Sequence, residues 1–154
     1  MDSENKINQY SEKLEKLGVE LLKIQYNFKI KNEPSSKYWA KKIQEFKIYH
    51  TKAIEYFTQA YSLMNLLNKD QSGLFLLRIG KLRQLGVKLL ENMENIKKNP
   101  DTMNLKDKQQ SRWSIEQREK LIDSNSDCLN HEKRMNVFFK EFYEEYFKNK
   151  PKQN

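Results

Sequence analysis

Three places in this chain carry side chains that could do chemistry. Near the C-terminal end, Tyr146-Phe147-Lys148-Asn149-Lys150 sets an amide between two cations just after an aromatic pair. That string is either the frayed end of an amphipathic helix or the reading end of a DNA-recognition helix. Cys128 and His131 stand three residues apart, a spacing that one helical turn brings together. A zinc site needs a second such pair, so no metal is expected. His50 falls on an apolar stripe, where a core histidine with a local hydrogen bond is the expectation rather than a ligand. The sequence has no Gly-rich phosphate loop, no nucleophile elbow and no paired His, Cys or carboxylate motif. No catalytic residue, cofactor or small-molecule substrate is therefore expected, and the chain does not read as an enzyme.

The elements that must position these residues follow from periodicity. Only four Gly and three Pro punctuate 154 residues, which suits long helices with few turns. Apolar residues at Ile7, Tyr10, Leu14, Leu17, Leu21, Ile24 and Phe28 alternate steps of three and four, so they line one face of a helix over about residues 3–31. Ser35-Ser36 can cap a second helix whose stripe runs Trp39, Ile43, Phe46, His50, Ala53, Phe57, Ala60, Met64, Leu67. Tyr38, Tyr49, Tyr56, Tyr61 and Leu63 make this helix apolar on more than one face, as expected in the middle of a bundle or against another chain. Asn68 to Gly73 reads as a tight turn, and Phe75, Ile79, Leu82, Leu85, Leu89, Met93 and Ile96 carry a third helix to the Lys97-Lys98-Asn99-Pro100 stop. Gly80 and Gly86 each cost that helix about 1 kcal/mol relative to Ala, and the expected compensation is close approach of a neighbouring helix. An all-α chain follows, with an antiparallel three-helix bundle over residues 1–100. Residues 101–112 lose the periodicity and read as a polar linker or arm, leaving residues 113–154 for a small helical unit.

The start of that unit, Trp113-Ser114-Ile115-Glu116-Gln117-Arg118-Glu119-Lys120-Leu121, has an aromatic residue, Ser114 as N-cap, acid and amide in the first turn and an apolar residue eight positions on. It resembles the opening of homeodomain helix one, and Tyr146 to Lys150 resembles the Trp-Phe-x-Asn-Arg signature of the homeodomain recognition helix. The two motifs cover about 40 residues, in the right order. Tyr stands for Trp and Lys for Arg, and Trp113 and Tyr146 are closer together than is usual in the family, so the resemblance implies a degenerate tri-helical, homeobox-like unit. It further implies that Asn149 contacts adenine, Lys148 occupies a variable specificity position, and Lys150 and Lys152 approach phosphate. Lys106, Lys108 and Arg112 would then form a basic arm. The chain is similar in this respect to homeobox-like accessory subunits of the ciliate DNA adenine methyltransferase complex. That similarity implies a nuclear, non-catalytic, DNA-associated subunit whose partners are double-stranded DNA and the other proteins of the complex.

Charge bears on the choice. The formal net charge is +8 and the pI about 9.4, compatible with an acidic partner. Residues 101–154 hold 11 Lys and Arg against 10 Asp and Glu, whereas residues 1–100 hold 18 against 11. The excess lies on the bundle, where Lys37, Lys41 and Lys42 could contact phosphate or simply form a solvated face. A near-neutral homeobox-like unit gains little from counterion release. The other reading is a helical protein-interaction module that docks a partner helix along its second or third helix, without nucleic acid. With a single cysteine, a polar N-terminus and no long apolar run, an intracellular, soluble protein is expected.

Overall fold

In the computed structural model, residues 2–27, 29–106 and 111–148 are described. They form four long helices and no strand: α1 (Asp2–Asn27), α2 (Ser36–Leu67), α3 (Lys69–Lys98) and α4 (Arg112–Tyr143), with a 3₁₀ turn over Pro100–Met103 and a widened π-type turn over Glu144–Lys148. The all-α class is as the sequence dictates. α2 occupies the centre: Trp39, Phe46, Tyr49, Ala53, Phe57, Ala60, Leu63 and Met64 are all almost completely buried, which explains why its sequence is apolar on more than one face.

Long helices joined by short connections pack antiparallel, and cross-links fix the directions. The Ser36 hydroxyl at the start of α2 donates to the Lys97 carbonyl at the end of α3 over 2.8 Å. Asn92, late in α3, donates to the Lys120 carbonyl and the Ser124 hydroxyl, early in α4. α1 packs on α2, α2 on α3 and α3 on α4, and one core takes residues from every helix, from Leu14 to Phe142.

α1 ends at Asn27 rather than about residue 31, and the Tyr38 hydroxyl pairs with the Lys31 amide and the Lys29 carbonyl in the connection that follows. Three further differences from the sequence reading concern the later elements. The turn expected over Asn68 to Gly73 is the single residue Asn68, whose extended backbone ends α2 while its side chain accepts from the amides of Asp70 and Gln71. Two caps in one residue leave no need for a longer loop, so Gly73 lies inside α3. Of the linker expected over 101–112, residues 101–103 belong to the 3₁₀ turn, with Thr102 and Met103 buried. Residues 107–110, including Lys108, lie outside the described residues.

The third difference is the largest. Residues 112–143 form one continuous helix, not a separate tri-helical unit. No Gly or Pro occurs between Pro100 and Pro151 to break it, and its buried positions keep helical spacing throughout: Gln117, Leu121, Ser124, Cys128, Glu132, Met135, Phe139, Phe142. The three-helix bundle is thus a four-helix array. Its N-cap is Ser111, whose hydroxyl accepts from the Ser114 amide, and not Ser114. Trp113, the aromatic of the first motif, is 46% exposed.

Glycine serves close approach at one of the two expected positions. A Cβ on Gly86 would overlap the His50 ring, so the ring occupies the space the missing side chain leaves. Gly80 faces open space.

Candidate functional site

Antiparallel order puts Lys106 and Arg112 at one end of the array and Tyr146, which opens the second motif, at the other. Lys106 and Arg112 stand where α3 ends and α4 begins, and α2 begins at that same end. Tyr146 is at the other end, where its hydroxyl accepts from the Asn68 side chain over 3.0 Å. The 32 residues of α4 separate the two by roughly 48 Å at about 1.5 Å per residue. Tyr146 stacks on Phe142 and Phe147 lies against Tyr143, each with 4.5 Å between centroids, so the aromatic pair packs on its own helix. Asn149, Lys150 and Lys152 lie outside the described residues, as does the side chain of Lys148. Arg112 is exposed and pairs with Glu116 at 3.4 Å.

The bundle lysines divide. Lys37 and Lys41 are exposed, while Lys42 is buried against the Tyr38 ring and paired with Glu45 at 2.9 Å. Lys42 is therefore not the open phosphate contact that its neighbours could be. Lys29 and Lys31 join Lys41 around a small cleft that the sequence reading missed. Tyr38 holds them there: its hydroxyl accepts from the Lys31 amide and donates to the Lys29 carbonyl. The Trp39 indole N–H donates to the Glu33 carbonyl over 2.7 Å and pins the rest of the loop.

His50 is a half-buried packing residue, stacked on Phe46 at 5.2 Å; burial, and then the charge of Arg83, lowers its pKa. His131 donates from Nε2 to the Arg78 carbonyl over 2.8 Å. Cys128 is buried, and its thiol is pushed up to about 12 by burial and then by the charge of Glu132. Among the described residues no three His, Cys, Asp or Glu side chains are grouped as metal ligands.

A larger concavity than the lysine cleft lies elsewhere. Between α1 and α4 the packing opens into a groove of about 730 Å³. Its floor is Leu14 and Leu21 of α1, Tyr56 of α2 and Phe139 of α4, and Tyr143 closes one side. The Tyr56 ring lies beside Gly18, 3.5 Å from where a Cβ would stand, an ordinary contact distance, and Tyr56 meets Phe139 edge to face at 6.3 Å. On the rim, Val19 is 49% and Leu22 66% exposed. Helical spacing assigns the groove wall: Asn8, Glu12, Glu15, Val19 and Leu22 form a second stripe beside the core stripe of α1. The signal was an apolar pair, Val19 and Leu22, one turn apart and off the first stripe. An open apolar trough of this size between two helices suits the apolar face of a third.

No helix among the described residues is long and apolar enough to cross a membrane. Comparisons with protein-family models, curated proteins and solved structures find no match for this chain.

Proposed function

We propose that this chain is a non-catalytic helical interaction subunit, which docks an amphipathic helix of a partner protein in the groove between α1 and α4. The observation that carries the reading is the groove: a largely buried apolar floor, an exposed apolar rim and walls supplied by two helices, α1 and α4. Helix-in-groove recognition uses this arrangement, with the i, i+3, i+4 and i+7 side chains of the guest helix filling the trough. The sequence placed the docking face on the second or third helix; the geometry favours the first and fourth.

The test is co-purification from the native source with a double variant as control. Val19→Asp with Leu22→Asp changes two exposed side chains, so helicity and melting temperature hold while the partner is lost. Retention of the same partners by the folded variant refutes the groove as the docking site.

A second reading, a DNA-associated accessory subunit, is supported by the cluster of Lys29, Lys31, Lys37 and Lys41 at one end of the array. It requires the full chain to bind labelled duplex DNA at physiological salt. If Asn149→Ala with charge reversal of Lys148 and Lys150 weakens that binding, the C-terminal motif takes part. If only reversal of Lys29, Lys31 and Lys41 does so, the lysine cluster carries it.

A further inference from the structure

The groove also carries information about its guest. Glu12 and Glu15 lie one turn apart on the α1 wall, both exposed, and neither has an ion-pair partner among the described residues. The next carboxylate along the helix, Glu20, is neutralised by Lys52 at 3.1 Å. Like charges at this spacing repel, and a cation laid beside them relieves the repulsion. The opposite wall carries Lys140 and Glu144, so the lining holds three carboxylates and one ammonium in a chain of net charge +8. Glu12 and Glu15 thus make the α1 edge of an apolar trough acidic on a basic molecule.

We infer that the groove selects a partner helix with an apolar face bordered by Lys or Arg on the edge that meets Glu12 and Glu15. This rests on the interaction-module reading above and adds the chemistry of the guest. The apolar face lies on Leu14, Leu21 and Phe139, and cations at i and i+3 or i+4 of the guest reach the two carboxylates. Complementary charge of this kind sets partner choice and register more than raw affinity. Overall attraction works in the opposite sense, because a +8 protein favours an acidic peptide wherever the peptide lies. Preference for a basic-edged helix is therefore diagnostic of the groove.

The experiment uses the full chain and two fluorescent helical peptides of about 18 residues with the same Leu/Ile face, one with Lys and Arg on one edge, the other with Glu there. Fluorescence anisotropy at low salt should favour the basic-edged peptide by about tenfold or more, with the gap closing as salt rises. Glu12→Lys with Glu15→Lys should reverse the preference. Equal binding of both peptides, abolished by Val19→Asp with Leu22→Asp, leaves the groove as a docking site and overturns the charge selection. Binding of neither peptide overturns both readings. Self-association that the Val19→Asp, Leu22→Asp variant abolishes, without peptide binding, assigns the groove to a second copy and overturns the inference.

Discussion

The Tyr49 hydroxyl of α2 donates a hydrogen bond to Glu132 of α4 inside the core, where Glu132 is 2% exposed and its second oxygen, Oε1, finds no hydrogen-bond partner among the described residues. A carboxyl in that position is the most sensitive polar group of the molecule, because charging it means leaving a charge in an apolar interior.

Burial raises the Glu132 pKa above its ordinary 4.5, and the hydrogen bond from Tyr49 partly opposes that rise. Above pH 4.5 the folded state therefore holds a proton that the unfolded state has released, so stability falls as pH rises through the window from 4.5 to the raised value. Glu132→Gln removes this dependence. Urea unfolding from pH 4 to 8 should show the wild type losing ground to the variant by about 1.4 kcal/mol for each unit that separates the folded from the ordinary pKa. A gap that stays constant with pH would show that Glu132 titrates normally.

Cys128 lies one turn from Glu132, buried, with its thiol pushed up to about 12. Only the thiolate attacks disulfide reagents. In native buffer at pH 8 the thiol should react on the order of a thousandfold or more slowly than in denaturant, with a rate that follows opening of the helix array. Rapid labelling of the folded chain would contradict the packing of α4 on the core.

Gly86 and Gly80 give opposite results from one chemical change. Gly80→Ala meets open space and should stabilise α3 by about 0.5–1 kcal/mol. Gly86→Ala drives a methyl group into the His50 ring, itself held against Phe46, and should destabilise by about 1–3 kcal/mol despite the gain in helix propensity. Denaturation midpoints of the two variants test the pair together.

Asn68 does three jobs: it ends α2, caps α3 and donates to Tyr146. Asn68→Ala should cost about 1–3 kcal/mol, combining a lost cap with a lost hydrogen bond. Asn68→Asp keeps the cap and loses only the donor, so thermal melting should place it between wild type and the alanine variant.

The first three helices were legible because an unbroken, evenly spaced apolar series marks each buried face even where a polar residue such as Lys42 or Asn92 is buried beside it: Trp39, Ile43, Phe46, Phe57 and Met64 announce the face of α2. The fourth was not. Its buried stripe contains Gln117, Ser124 and Glu132, polar residues that break the pattern in sequence yet are accommodated in space by partners such as Asn92 and Tyr49. The missing evidence for a turn was the better guide, since the stretch has neither Gly nor Pro. The groove escaped for a different reason. Val19 and Leu22 are visible as apolar letters, but only the relative placement of α1 and α4 makes them a rim.

The antiparallel order has an electrical consequence. The peptide dipoles of α1 and α3 run against those of α2 and α4 and largely cancel, so any lengthwise polarity of the described residues comes from side chains. At the end where α2 begins, Lys29, Lys31, Lys37, Lys41, Lys98, Lys106 and Arg112 outnumber Glu33, Asp101 and Glu116, whereas towards the other end Glu4, Asp70, Glu141, Glu144 and Glu145 outnumber Lys6, Lys69 and Lys140. The described array is a charged rod with a moment along its axis. In low salt a negatively charged surface exerts a torque that turns it end-on, and the long side that holds the groove then faces outward.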